Sequence, residues 1–482
     1  MDKVSKNYYY IIRGLLEAEE KFLSNPKDFY SLETAVKAST DAVAAGFLEN
    51  ILSSVNKQIY DSSWRKGKYT VVRNNKRTLI SSVGDIVFDC TYYRKCEDGS
   101  FHYLLEELMH LGKHERLTEA AESMILTEAL KTSYEEASKV LPSKQKITKT
   151  TVMQKVHQIA ENLPVEELDE KKNIKTLFIE ADEDHVSEQH GRWIPSKDNK
   201  SFISRLIYIY EYKQEVPNVK GKKELVNTHY FSGLYEGTEG IEKMWNEVND
   251  FIEATYDTDV LERVYISGDG AAWIKAGAKY IPHALFCADK FHLMKYINSA
   301  SNQMLDESEW VKSEIYRLLN KRDKEGFEKL TSRMQESASN EKYVTDLRAY
   351  VLGNWKAVIR TLRNKEVDGC SAESHVSHVL SDRLSSRPKG WSKLGADRMS
   401  RLRCYEKNYG REKIIDLVKY SREQRDLQRT GTEDIPVKAM RIYDVWQDHS
   451  DKAKGYIERM QATIPGFTAK KIAAIRNGLS GL

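Results

Sequence analysis

Three acidic residues stand where metal-dependent chemistry on phosphodiesters would need them. Asp182 follows the apolar run Thr176-Leu-Phe-Ile-Glu-Ala181, Asp269 follows Val264-Tyr-Ile-Ser-Gly268, and Glu373 opens the helical stretch Ser371-Ala-Glu-Ser-His-Val. Carboxylates from two strand ends and one helix start can converge on a pair of divalent cations about 4 Å apart, which activate a water or 3′-hydroxyl and stabilise the leaving oxygen. Hard cations such as Mg²⁺, with Mn²⁺ as a substitute, take oxygen ligands in preference to imidazole or thiolate. On this reading Asp182 bridges both metals while Asp269 and Glu373 each hold one. Asp184 is the alternative first acid, because the two-residue period of a strand points both side chains to one face. Crowded carboxylates repel one another, so the empty site is expected to be unstable.

Other residues lie close by in sequence. His185 and His190, His292, and His375 with His378 gather near the acids. No H-E-x-x-H or paired-cysteine motif accompanies them, which disfavours a zinc hydrolase. His292 and His378 are candidates for positioning phosphate or a scissile strand, and Trp193 and Trp391 could stack on an unpaired base or pack in a core. Arg383, Arg387, Lys389, Lys393, Arg398, Arg401, Arg403, Lys407 and Arg411 face only Asp397 and Glu406 in the same stretch. Such a segment could follow a phosphate backbone or form a solvated helix face. Glu180 reads as structural, and Gly268 and Gly270 let backbone approach a substrate or simply make a turn.

The elements that must hold the acids alternate in a telling order. Thr176–Ala181, Phe202–Tyr212 and Thr228–Leu234 are β-rich, the last two joined by a Lys/Gly/Pro loop. Ile241, Met244, Trp245, Val248, Phe251 and Ile252 recur at helical spacing before the strand Arg263–Ile266, a helix near Ala272–Ala276 and the strand His283–Cys287. The resulting β-β-β-α-β-α-β order is that of a ribonuclease-H-like α/β core with a mixed sheet, in which Asp182 would end the first strand and Asp269 the fourth. The 104 positions between Asp269 and Glu373 are largely helical and read as an insertion.

Upstream, the residues to about 60 read as helices, and Tyr69–Val72 and Thr78–Val83 as short strands about a polar turn, Arg73-Asn-Asn-Lys-Arg77, with a third strand over Asp85–Tyr93. Three short helices near Thr118–Leu130, Ser133–Leu141 and Thr148–His157 resemble a helix-turn-helix. The expected domains are an N-terminal helical region (1–60), a small β-rich segment (61–115), a DNA-binding segment (116–165), the first part of the catalytic core (172–300), the helical insertion (301–364), the glutamate helix of the core (365–392) and a C-terminal helical region (393–482), loosened near its end by Gly466, Gly478 and Gly481.

Composition narrows the class. A chain of 482 residues with 40% hydrophobic and 30% charged residues supports several folded domains. No apolar window long enough to cross a membrane appears and no secretory signal opens the chain, so a cytoplasmic protein is expected. The five cysteines, Cys90, Cys96, Cys287, Cys370 and Cys404, are scattered and are expected to be reduced thiols. The formal charge of +3 is too small to identify a nucleic-acid partner.

The stretches Ile179-Glu-Ala-Asp-Glu-Asp-His-Val186, Ile266-Ser-Gly-Asp-Gly-Ala-Ala-Trp-Ile274, Asp289-Lys-Phe-His-Leu293 and Gly369 through Trp391 resemble the DDE transposases of bacterial insertion sequences. The likeness is greatest to the ISLre-type group, whose layout is related to that of Mutator-like transposases, and it covers most of the chain. It implies a ribonuclease-H-like catalytic domain with a helical insertion, Mg²⁺ dependence, and cut-and-join transposition on double-stranded DNA. The partners it implies are terminal inverted repeats and target DNA, bound by a homo-oligomer, at least a dimer, at the bacterial nucleoid. Asp182, Asp269 and Glu373 match the catalytic triad. Cys287 and His292 resemble a cysteine–histidine pair of the Mutator-like relatives, at wider spacing. A structure-specific endonuclease of the same fold and a non-catalytic, transposase-derived DNA-binding regulator are the alternatives.

Overall fold

Two long helices, α1 (Lys3–Ser24) and α2 (Phe29–Asp61), open the chain, and the Asp28 carboxylate caps α2 by accepting from the Ser31 amide. The structure is a computed structural model describing residues 3–161, 163–164, 170–189, 200–219, 221–367, 369–386 and 390–427. These divide into two compact units, one of residues up to 125, 139–147 and from 418, the other of 126–138 and 148–417.

In the first unit β1 (Tyr69–Ser81), β2 (Gly84–Lys95) and β3 (Phe101–His102) form an antiparallel sheet in that order. The expected turn at Arg73–Arg77 does not exist: β1 runs straight through it, and the chain reverses at Ser82–Val83, where Gly84 takes φ +127°. The two asparagines find strand partners instead. Asn75 donates to the Tyr103 hydroxyl at 2.7 Å, and Asn74 accepts from Thr91 at 3.4 Å. Ile59, Leu79, Phe88, Tyr93 and Leu104 make the core, beside α3 (Leu104–Leu108). Helix α4 (Glu119–Ala129) begins in this unit and ends in the other, which also holds α5 (Tyr134–Ala137) and α6 (Lys149–Ile159), capped by Thr148.

The second unit is built on strands β4 (Thr176–Ser187), β5 (Ser201–Tyr210), β8 (His229–Gly233), β9 (Arg263–Gly268) and β10 (Ala284–Ala288). They lie in the order β10-β9-β4-β5-β8, with β10, β9 and β4 parallel and β5 antiparallel to both its neighbours. The expected alternation of strands and helices is therefore present as a mixed five-stranded sheet. The loop after β5 contains a separate two-stranded ribbon, β6 (Tyr212–Glu215) and β7 (Lys223–Val226). Asp182 does not end β4, which pairs with β5 as far as Ser187; what ends near Asp182 is the pairing with β9, whose last partners are Glu180 and Ser267.

Alternation gives β4 two faces. Leu177, Ile179 and Ala181 bury against α7 (Gly237–Thr255) and α8 (Ala272–Tyr280), where the Trp245 indole donates to the Trp273 carbonyl at 2.9 Å. A methyl group on Gly277 would lie 2.6 Å from the Trp245 ring. Gly277→Ala is therefore expected to cost about 1–3 kcal/mol by overpacking, read as a lowered midpoint in urea unfolding.

Helices α9 (Lys290–Ser301), α10 (Ser308–Lys321), α11 (Lys324–Ser337), α12 (Glu341–Gly353) and α13 (Trp355–Arg363) follow, sharing a core of Leu293, Ile315, Leu319, Phe327, Leu347 and Val358 among others. Next come α14 (Ala372–Val376), a π-helical turn over Ser377–Ser381, and α15 (Asp382–Leu384), then α16 (Lys393–Tyr409) and α17 (Ile414–Leu427). Among the described residues no helix is long and apolar enough to cross a membrane. All five cysteines are unpaired.

The basic stretch is not an open phosphate track. Arg403 is buried and donates to the carbonyls of Leu130 at 2.6 Å, His378 at 2.7 Å and Val379. Arg401 bonds Asp397 and the Tyr235 hydroxyl, Arg398 reaches Glu161, Lys393 pairs with Glu236, and Arg411 with Glu406. Arg383, Arg398, Arg401 and Arg403 are thus turned into the protein, the last three because α16 packs along β8 and against α6, while Lys393, Lys407 and Arg411 remain exposed. Arg387, Lys389, His190, Trp193 and the glycines after residue 427 lie outside the described residues.

Candidate active site

The face of β4 opposite the α7–α8 core carries Phe178, Glu180, Asp182 and Asp184. The parallel registers determine what stands beside them. Glu180 pairs with Ser267, and Gly268 with Ala288; continuing these registers brings Asp182, Asp269 and Asp289 onto one line across three adjacent strands. Neighbouring strands are about 4.8 Å apart, so the three carboxylates stand in a row at the C-terminal end of the parallel strands, with Asp269 between the other two. Asp289 was not among the expected site residues, although it too follows an apolar strand directly.

The three differ in what the protein already gives them. Asp289 is buried and caps α9, accepting from the Phe291 amide at 2.9 Å and pairing with His292 Nδ1 at 2.7 Å. Asp182 accepts from the Glu183 amide at 2.8 Å through one oxygen, and Asp269 from the Ala271 amide at 2.8 Å through one oxygen. Each keeps a second oxygen with no protein donor among the described residues. Burial pushes the Asp182 carboxyl up to about 6; the Glu183 amide opposes this, the Asp269 charge adds to it, and the His292 ring counters it. His292 is raised by its bond to Asp289 and, despite partial burial, by the charges of Asp289, Asp269 and Asp182. The four side chains form one electrostatic cluster.

Glu180 and Asp184 on the same strand are committed otherwise. Glu180 is buried beneath the hydroxyls of Tyr208 and Tyr210, Lys213 and Ser371. Asp184 accepts from Ser385 at 2.8 Å, and its other oxygen is buried from solvent. These two bonds lay the segment from Ser371 to Ser385 across the face. Glu373 stands at its start, exposed and without a protein partner among the described residues.

The remaining expected residues are scattered. His378 is exposed on the π turn, with Asp382 4.0 Å away. Arg383 and Trp391 are corrections to the expectation of substrate contact, because both are buried. Arg383 donates to the Ala129 carbonyl at 2.9 Å and stacks 4.7 Å over Trp391, which packs edge-on against Tyr134 and lengthens the β4 ladder through Ser187 and Gln189. Cys287 is buried with Tyr265 and Val367, and its thiol is pushed up to about 11 by burial. His292 pairs with Asp289, three positions before it.

The donor set suits a hard divalent cation: Asp182, Asp269 and Glu373 each offer carboxylate oxygen that no protein group claims among the described residues, and the charges of the first two repel. Among the described residues no three acids, histidines or cysteines are already close enough to enclose a metal ion. Asp182 and Asp269 are brought together; Glu373 is on the adjoining segment.

A family profile described as "Uncharacterised protein family (UPF0236)" matches residues 23–420. A UPF0236 protein of Caldanaerobacter subterraneus subsp. tengcongensis, whose name joins eleven locus designations, is 34% identical over 439 residues, covering 89% of this chain and 90% of that protein. Another from the same bacterium is 33% identical over 412 residues, covering 85% and 80%. Among solved structures, the Drosophila P element transposase strand transfer complex aligns with 70% of this chain and 87% of that chain at 9% identity and a TM-score of 0.23, a likeness too slight to assign a fold.

Proposed function

The chain belongs to the UPF0236 family, and from that premise we propose that it is a DNA transposase that cleaves and joins strands at terminal inverted repeats by a DDE mechanism. The observation that carries this reading is the register-matched pair Asp182 and Asp269, with Glu373 on the segment laid across the same sheet face. The strand order β10-β9-β4-β5-β8, with β5 alone reversed beside the edge strand β8, supports a ribonuclease-H-like core. Multiplicity in the relatives points the same way: single names join eleven, four and two loci of one genome. A product repeated at many loci is what a self-moving DNA segment leaves behind.

Asp182, Asp269 and Glu373 would hold Mg²⁺ or Mn²⁺, which when bound activates the attacking oxygen and offsets charge on the leaving one. The protein's own part is to hold Asp182 and Asp269 at adjacent strand positions and to keep His292 beside them, its proton facing Asp289 and its charge compensating theirs. Asp182 serves as first acid and not Asp184, whose oxygens are bonded to Ser385 or shut from solvent. The protein acts on double-stranded DNA in the bacterial cytoplasm, as a dimer or larger assembly, since joining two ends requires both to be held.

The test is incubation with Mg²⁺ or Mn²⁺ and a labelled duplex carrying the inverted repeat that flanks its own locus. End-specific nicking followed by strand transfer is expected. Nicking of branched DNA alone would make it a structure-specific endonuclease, and binding without cleavage would make it a regulator.

A further inference from the structure

We infer that Glu180, with Lys213, is a positioning residue that sets the place of Glu373 relative to Asp182 and thereby the affinity of the site for a divalent cation. This rests on the reading of Asp182, Asp269 and Glu373 as metal ligands.

The residues around Glu373 are pinned on both sides. Before it, the Ser371 amide donates to Glu180 Oε2 at 2.6 Å and the Ser371 hydroxyl to the same oxygen at 3.1 Å. Lys213 Nζ bridges Glu180 Oε1 at 3.1 Å and the Gly369 carbonyl at 3.0 Å. After it, His375 stacks on Tyr208 with ring centres 4.4 Å apart and shares a hydrogen bond of 2.9 Å with the Tyr230 hydroxyl. Tyr208 itself bonds both Glu180 and Ser371. Between these anchors only Glu373 and Ser374 are exposed.

Glu180 is also two residues before Asp182 on the same strand face, about 7 Å along a rigid backbone. One strand therefore supplies the first acid directly and holds the third through Ser371. A buried carboxylate is costly unless its oxygens are satisfied, and here the satisfying groups are those that fix the glutamate's segment. Apolar packing could hold a helix on this face at less expense, but would not define the position of its first turn as closely. Groups that orient a metal ligand from behind typically govern affinity by about 10–100-fold.

The experiment is Mn²⁺ binding by the full chain without DNA, followed by electron paramagnetic resonance of free Mn²⁺, for the unmodified protein, Asp269→Asn, Glu180→Gln and Lys213→Met. Thermal unfolding is recorded alongside, and binding is measured well below each midpoint. Glu180→Gln and Lys213→Met are expected to weaken Mn²⁺ binding by about 10-fold or more while leaving duplex binding unchanged, and raised Mn²⁺ is expected to restore cleavage. Lowered midpoints with unchanged Mn²⁺ affinity would overturn the inference, leaving Glu180 a purely structural residue. If Asp269→Asn also binds Mn²⁺ like the unmodified protein, the metal-ligand reading fails with it. If Glu180→Gln does not fold, Tyr210→Phe, which removes the 2.7 Å bond to Glu180, is measured in its place with the same two outcomes.

Discussion

Asp182→Asn, Asp269→Asn and Glu373→Gln are each expected to lower end cleavage and strand transfer by about 1000-fold or more while leaving binding to the inverted-repeat duplex intact. Metal-held stabilisation of the reacting oxygens is worth several kcal/mol, and about 1.4 kcal/mol is a factor of ten in rate. The same change at Asp182 carries a second signature. Its folded-state carboxyl titrates at about 6, above the ordinary aspartate range, because of burial and the Asp269 charge. A folded state that holds its proton more tightly than the unfolded chain loses stability as pH rises from about 4 to about 6, and the loss persists at neutral pH. Asp182→Asn is therefore expected to stabilise the metal-free protein at pH 7.5, by on the order of 2 kcal/mol, and to flatten that acid limb. Urea unfolding between pH 4 and pH 8 reads both effects. A destabilised Asp182→Asn would show that this carboxylate is a structural acceptor and not part of a repelling pair.

Arg403→Ala is expected to give the largest loss of stability, about 3–5 kcal/mol. Its guanidinium satisfies carbonyls of His378, Val379 and Leu130 in the interior, and each buried acceptor left without a donor costs about 1–3 kcal/mol. Two of those carbonyls belong to the π turn over Ser377–Ser381. Such a turn carries one residue more than an α-turn and leaves carbonyls poorly paired, so an internal donor keeps it from relaxing. Relaxation would rotate the segment between Ser371 and Ser385, which meets β4 at both ends. Arg403→Lys, with a single ammonium in place of a planar fork, is expected to recover only part of the stability. The measurement is the urea midpoint at fixed slope; a change below about 1 kcal/mol would mean that the turn keeps its form without the arginine.

Much of the frame was legible along the chain. Apolar runs and helical spacing led to the β-β-β-α-β-α-β order, and the structure contains those elements in one mixed sheet. The failures share a cause. Asn74 and Asn75 read as a turn because asparagine favours turns locally, yet a tyrosine hydroxyl and Thr91 across the sheet gave them strand partners. Arg403 read as part of a surface track because its acceptors, carbonyls at positions 130, 378 and 379, are distant in sequence or carry no side-chain signal.

By itself the sequence determined where carboxylates follow apolar strands, since alternation and strand length are local properties of the chain. It did not determine which of them meet. That was decided by the parallel registers, which align Asp182 with Asp269 and add Asp289, and by the buried bonds of Glu180 and Asp184, which withdraw those two acids and lay the Glu373 segment on the sheet. The physical reason is that a carboxylate's role depends on which donors and charges surround it: the amides that bond Asp182, Asp269 and Asp289 are local, but the charges those acids face and the groups that bond Glu180 and Asp184 come from residues far away along the chain.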